Sequence, residues 1–347
     1  MKWIKRLAVL LALTVGAAGC GTTTEAAEGQ LSDSSGTLEV HYLDVGQADC
    51  ALLASNGQYM VIDGGNNDDS ETIVSYLRQQ GVQTIEALVG THPHEDHIGS
   101  LDTILQEFAV KAVYLPKVMH TSQTFEDVLD AVAAEGLQIQ SPAPRETFSF
   151  AGLPVEVLAP QKQYEDLNNA SLVLRVTAGE QKFLFTGDAE VKSEEDMLAA
   201  GETVQADVLK VGHHGSETST SDAFLQAVSP KYAVISVGKE NKYGHPDQIV
   251  LDRLIRNGVS VYRTDEQGTV VCQTDGKTLR FTTAPAAEGE TAQQTTAAEI
   301  TYIGNQNSKK FHRDTCKSLP KAENRVNFSD REAAIAVGYT PCGTCKP

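Results

Sequence analysis

The segment THPHEDHIGS, residues 91–100, restricts what this chain can become more than any other stretch. Three histidines and two acids fall between His92 and His97, directly after the apolar run IEALVGT and directly before SLDTILQEF. In an extended segment His92 and His94 share a face, because side chains at i and i+2 point the same way. Asp96 and His97 come after the chain turns, so they face the same cavity from another direction. Two ligand pairs from one loop, neither completing a four-coordinate site alone, imply two adjacent divalent ions. Imidazole with carboxylate suits zinc best, with manganese or iron as alternatives.

The apolar spacing on either side says how such a loop is held. LEVHYLDV, DCALLAS and QYMVIDGG alternate and are punctuated by Gly and Asn, which predicts short strands. SETIVSYLRQQG has helical spacing and closes on Gly81. The second half continues in the same way. PVEVLAP, SLVLRVTAG, QKFLFTGD, ADVLKVGHHGS and YAVISVG read as strands, with helices near 193–200, 221–228 and 247–257. Strand-rich halves that each carry helices predict an α/β protein whose two sheets pack together with helices outside, a four-layer αββα sandwich over residues 37–283. Cys50 and Cys272 lie in apolar strand-like runs and read as buried thiols, a disulfide between them remaining open.

The His cluster is H-x-H-x-D-H, and with VIDGG upstream and LFTGDAE downstream it resembles the metallo-β-lactamase fold. More narrowly, YLDVGQADCALL, VIDGG, THPHEDHIGS, NNASLVL, LFTGDAE, LKVGHHGS and GHP, in that order, resemble the extracytoplasmic hydrolase domain of ComEC-type DNA-uptake proteins. The resemblance implies that His92 and His94 hold one metal, that Asp96 and His97 hold the other, and that Asp188 bridges them. It implies that His245 completes the second site and that Asp63 orients ligands from behind. The superfamily has a further His between the Asp96 and Asp188 motifs; here that interval holds only His120, in a different context, and NNASLVL stands in the place. Asn169 and Ser171 are therefore expected to line the pocket. HHGS is expected to supply the missing ligand, His213 ahead of His214, with the other ring and Ser216 facing substrate. GQAD stands where relatives have GQGD, a change that bears on a tight turn more than on metals.

Residues 1–20 read as a secretory signal: Lys2, Lys5 and Arg6, an apolar run, then AAGC. That ending resembles a bacterial lipobox, with Ala17 where Leu is more usual, which implies lipidation of Cys20 and a membrane attachment outside the cytoplasm; cleavage without lipidation, giving a secreted protein, is the alternative. Residues 21–36 and 284–299 are small, polar and aperiodic, a tether and a linker. Residues 300–347 carry His312, Cys316, Cys342 and Cys345 as H-x3-C and C-x2-C. That is the donor set of a tetrahedral structural zinc in a module too small for a self-sufficient core, against the alternative of one disulfide and a spare thiol. It resembles the metal-binding domain of Ada-type DNA-repair proteins. A flexible linker predicts that the larger domain does not sense the module.

The formal charge is −18; residues 301–347 hold eight Lys and Arg against four Asp and Glu, net +4, which leaves −22 on the remainder. A body this acidic has no broad attraction for nucleic acid, so phosphate chemistry must rest on local cations. The expectation is a monomeric metal-dependent hydrolase with two catalytic ions, acting on a phosphodiester such as extracellular DNA. Hydrolysis of a β-lactam, lactone or thioester, and a non-catalytic binding lipoprotein, are the alternatives.

Overall fold

The computed structural model describes residues 36–283, 302–313, 316–321, 324–328, 331–343 and 345. The signal with Cys20, the linker 284–299 and all of the tether but its last residue lie outside these.

Two sheets dominate. The first has eight strands in the order Leu279–Thr283, Val270–Thr274, Leu38–Tyr42, Ala51–Ser55, Gln58–Ile62, Ala87–Val89, Val113–Tyr114, Ile139–Gln140. The second has seven: Ser260–Arg263, Tyr232–Ile235, Val208–Lys210, Gln181–Phe185, Val173–Ala178, Leu153–Ala159, Thr147–Phe150. The alternation read from the sequence is what joins them. Val40, Leu53, Met60 and Val89 of the first sheet share one buried cluster with Val155, Leu174, Phe183 and Val208 of the second. The opposite face of the first sheet packs Leu52, Val61 and Leu88 against Ile73, Leu101, Ile104 and Val128 of helices. The opposite face of the second packs Leu184, Leu209 and Ala233 against Met197, Phe224 and Leu254. The architecture is the αββα sandwich the pattern predicts.

Local chemistry explains the register. Ala51–Ser55 and Gln58–Ile62 pair antiparallel across Asn56-Gly57, both in the left-handed region, as a two-residue hairpin turn requires. The helix Ser70–Gln79 ends just before Gly81, the stop expected from the sequence. The helix Gln123–Ala134 goes beyond the elements expected from the sequence; Ser122 caps it by accepting from Phe125 N–H, and Phe125, Val128 and Val132 are buried. Cys50 and Cys272 are buried in different clusters and form no disulfide. A separate four-stranded sheet, ordered Arg325–Phe328, Tyr302–Asn305, Lys310–Arg313, Thr340–Pro341, builds the C-terminal module around Tyr302, Phe311, Ala334 and Tyr339.

Three loops meet behind the His cluster through backbone hydrogen bonds. Asp49 N–H donates to Asp96 C=O, Gly65 N–H to Asp49 C=O, Gly64 N–H to His97 C=O, and Gly99 N–H to Gly65 C=O. The approach is so close that a Cβ on Gly99 would stand 2.2 Å from the carbonyl carbon of Asn66 and 2.3 Å from the nitrogen of Asn67. Gly99 has ordinary helical φ, so the demand is purely steric. Gly99→Ala should cost on the order of 1–3 kcal/mol in urea denaturation, the usual scale of overpacking; an unchanged midpoint would show that these loops are not in contact.

Candidate metal centre

The site forms where parallel strands of both sheets end. Gln58–Ile62 runs parallel to Ala87–Val89, and Gln181–Phe185, Val208–Lys210 and Tyr232–Ile235 are mutually parallel. Asp63 follows the first of these strands, the His92–His97 loop the second, Asp188 the third, His213 and His214 the fourth and Ser236 the fifth. Four strand ends therefore deliver side chains to one crevice and a fifth delivers the Ser236 carbonyl, at the place where open α/β sheets bind ligands.

Asp188 is the hub. Its Oδ1 lies 3.1 Å from His97 Nε2, and its Oδ2 lies 3.9 Å from His92, 3.6 Å from His213 and 3.8 Å from His214, each at Nε2. Ser171 Oγ accepts from Asp188 N–H at 3.1 Å and so fixes the carboxylate from its backbone. His92 Nε2 and His94 Nδ1 are 3.0 Å apart. Ligand atoms of Asp96, His97, Asp188 and His214 all lie within 4.8 Å of one another, and those of Asp49, Asp63 and His97 form an adjoining group.

Tautomers are set from behind. Asp63 receives Thr91 N–H at 2.7 Å, Thr91 Oγ–H at 2.9 Å and His97 Nδ1–H at 2.9 Å, which leaves His97 Nε2 to face Asp188. His214 Nδ1–H donates to Ser236 C=O at 3.0 Å, which leaves its Nε2 3.2 Å from Asp96 Oδ2. His97 Nε2 and Asp188 Oδ1 are buried without a hydrogen-bond partner among the described residues. Two orphaned, facing donor atoms in an imidazole–carboxylate set fit divalent metal ions.

The electrostatics agree. Burial disfavours each charged form, yet opposite charges win at His97, His214, Asp188, Asp96 and Asp49. Asp188 and Asp63 drive His97 well above the ordinary imidazole value, and Asp188 and Asp49 push His214 up to about 10. Asp188 in turn is held well below the usual carboxylate range by His97 and His214. Asp96 falls to about 2 through its hydrogen bond with His214, and Asp49 is lowered by Lys210 and His214. Burial prevails at Asp63, which stays raised, and at His92 and His94, which are lowered. Without metal, the carboxylates recruit protons onto imidazoles to balance their charge. A cation bound there would take over that balance.

The structure differs from the sequence expectation at three histidines. His214, fully buried, is the ring grouped with Asp96, His97 and Asp188; His213 is partly exposed. His245 stands farther out, its ring 5.7 Å from that of His213 and its Nε2 3.9 Å from Asp247, so it is outside the group it was expected to complete. The choice between the paired histidines is made by backbone: both have φ near +50°, a left-handed turn that swings His214 inward. Asn169 is buried but braces neighbours, donating to Glu190 at 3.2 Å and accepting from Ser193 N–H at 3.0 Å. Ser216 contacts Thr218 at 3.1 Å. Asp49 and Lys210 join the site without having been expected there. Lys210 Nζ is 2.8 Å from Asp49 Oδ2, and Asp49 Oδ1 is 3.2 Å from His214 Nδ1, so this buried pair braces the inward histidine. An acid between Ala48 and Cys50 in a run that must be buried was the available signal.

Residues 43–239 match the metallo-beta-lactamase superfamily. The chain belongs to that superfamily. Residues 290–347 match the metal binding domain of Ada. Among curated relatives of this superfamily chain, ComE operon protein 3 of Bacillus subtilis is 33% identical over 266 residues, 71% of this chain and 34% of that protein. Recombination protein 2 of Haemophilus influenzae is 32% identical over 244 residues, 68% of this chain and 29% of that protein. The chain thus spans about a third of the length of these relatives. Among solved structures, the metallo-beta-lactamase fold protein YhfI of Bacillus subtilis superposes with a TM-score of 0.50 at 12% identity, over 69% of this chain and 100% of that one, which shows the shared fold.

In the Ada-like module, ligand atoms of His312, Cys316, Cys342 and Cys345 lie within 4.8 Å of one another and none of the three cysteines is in a disulfide. His312 Nδ1 is 3.4 Å from Cys316 Sγ. Burial, with the adjacent Cys316 and Cys342 thiols, pushes Cys345 up to about 11, so thiolates there need a cation. The module is also not the independent unit its linker predicted. Arg313, beside His312, makes a two-pronged pair with Asp252 of the helix Gln248–Arg256, at 3.0 Å and 2.7 Å. Asp247, the residue just before that helix, donates its N–H to Gly215 C=O in the HHGS turn, and its carboxylate accepts from Glu217 N–H.

The charge balance and the Arg313 pair can each be measured. A group whose pKa rises on folding stabilises fully below its unfolded value, near 6.5 for His214, and loses that contribution as pH climbs toward about 10. Metal-free protein should therefore melt at lower temperature at pH 9 than at pH 6, and saturating zinc should shrink the difference; equal melting at both values would contradict the charge balance described. Arg313→Ala should destabilise the chain by on the order of 1–3 kcal/mol, the value of charge-assisted hydrogen bonds. Urea denaturation of the metal-loaded protein measures it, and no change would mean that the pair is idle.

Proposed function

We propose that this chain is a metal-dependent phosphodiesterase acting outside the cytoplasm, with DNA as its polymeric substrate. The observation that carries the reading is Asp188, whose two oxygens face ligands on both sides of the centre. Asp96, His97 and His214 would hold one ion and His92 and His94 the other, with Asp188 common to both. Such a pair, when bound, lowers the pKa of water to about 7 and polarises a phosphoryl oxygen.

The chain's own residues do the rest. Asp63 and Thr91 hold His97 in one tautomer, and Asp49, Lys210 and Ser236 do the same for His214. His213 stands partly exposed at the rim, within 3.6 Å of Asp188 Oδ2, where it can meet a phosphate oxygen or a departing alkoxide. The names of two relatives, Recombination protein 2 of Haemophilus influenzae and Competence protein ComA of Neisseria gonorrhoeae, 32% identical over 235 residues, support a DNA phosphodiester over a β-lactam. A chain of net charge −18 must draw on bound cations to hold that anion. The lipobox-like AAGC supports a lipid on Cys20; mass spectrometry of the membrane fraction tests it, and an unmodified Cys20 there would refute it.

The deciding experiment pairs elemental analysis with turnover. The full chain, reconstituted with zinc or manganese, should carry about three ions and cleave bis-p-nitrophenyl phosphate and plasmid DNA but not nitrocefin. Asp188→Ala should lower turnover by at least ~1,000-fold with circular dichroism unchanged, because one substitution disturbs both ions. Activity within tenfold of the unmodified chain, or a preference for nitrocefin, would overturn the reading.

A further inference from the structure

A cavity of about 670 Å3 opens beside the candidate centre, within the range that encloses a small molecule. Three segments line it: 116–119, 141–144 and 160–170, which follow the strands Val113–Tyr114, Ile139–Gln140 and Leu153–Ala159. Two chain continuities tie it to the site. Met119 precedes His120, whose ring is 6.0 Å from that of His94. Ala170 lies on the wall between Asn169 and Ser171, and Ser171 Oγ is the acceptor for Asp188 N–H. These continuities put the cavity on the His94 and Ser171 side of the centre.

The lining defines that substituent. Val118, Pro142, Pro160 and Leu167 give apolar walls without side-chain donors or acceptors, and Tyr164 gives the aromatic ring. Tyr164 is held in place, its hydroxyl donating to Asp196 at 2.8 Å while Lys162 lies 5.4 Å from its ring centre. Met119 is 84% exposed, an adaptable apolar side chain kept in solvent at the mouth. The lining has two exposed lysines, Lys162, which is paired with Asp196, and Lys117. With so little positive charge, binding here must come from stacking, which every nucleobase can offer irrespective of its identity.

Resting on the phosphodiesterase reading, we propose that this cavity is a nucleobase subsite, which seats the base adjacent to the scissile phosphate without regard to sequence. The test compares thymidine 5′-(p-nitrophenyl phosphate) with methyl p-nitrophenyl phosphate on the zinc-loaded full chain, and on its Met119→Ala and Tyr164→Ala variants. Met119 is too exposed for its loss to unfold the chain. The nucleoside ester should be favoured through a lower KM, and each variant should lose about 5- to 10-fold in kcat/KM for that ester with little change for the methyl ester. Thymidine monophosphate binding, followed by calorimetry on the same proteins, reads the cavity independently of catalysis. If no diester is cleaved but the nucleotide binds and both variants weaken it, the phosphodiesterase reading fails and the subsite stands. Cleavage of both esters at equal kcat/KM, equal losses on both in the variants, or competition by octanoate but not by thymidine monophosphate would each overturn the subsite.

Discussion

Three carboxylates, Asp49, Asp63 and Asp188, are buried within one small volume, and everything near the site is arranged to make that tolerable. Unpaired buried charge costs several kcal/mol per ion, so each acid must find a cation or several donors. Asp63 is satisfied by Thr91 and His97, and Asp49 by Lys210 and His214. Asp188 Oδ1 and Asp49 Oδ1 have no hydrogen bond among the described residues, and Asp188 has no lysine beside it as Asp49 does. That residual demand makes the centre a cation site, and it fixes which ring nitrogens face inward.

The sheets meet this requirement through geometry. Parallel strands end together, so side chains just past them converge, whereas hairpin ends would alternate their direction. Backbone bonds among the segments around Asp49, Gly64 and Gly99 then lock three loops into one unit, with no room for a methyl group at Gly99. The HHGS turn is joined to the helix Gln248–Arg256 through Asp247, and that helix carries the Asp252 that meets Arg313.

Much of this was legible in the sequence because short-range spacing encodes it. The order of His92, His94, Asp96 and His97 requires only local chain geometry, and alternation in strands such as Gln181–Phe185 announces the sandwich. What stayed hidden depends on long-range contact or on one dihedral pair. His213 and His214 are chemically identical neighbours, and only the left-handed turn at both decides which is buried. Asp49 reads as a turn acid until Lys210, far along the chain, is seen to face it. Arg313 reads as surface charge until Asp252 meets it. The helix Gln123–Ala134 was there to be read in its apolar spacing after Ser122, and its burial against the first sheet bears that spacing out.

The bonds at Asp188 have a further meaning, since they cross from one sheet to the other. Asp188 and His214 belong to the second sheet, His92, Asp96 and His97 to the first, and the contacts of Asp188 with His92 and His97 and of His214 with Asp96 join one sheet to the other. Ions held there would act as rivets through the sandwich. The same ligands that shape the chemistry would then also fasten one sheet to the other, so metal loading and closure of the two halves of the fold become one equilibrium.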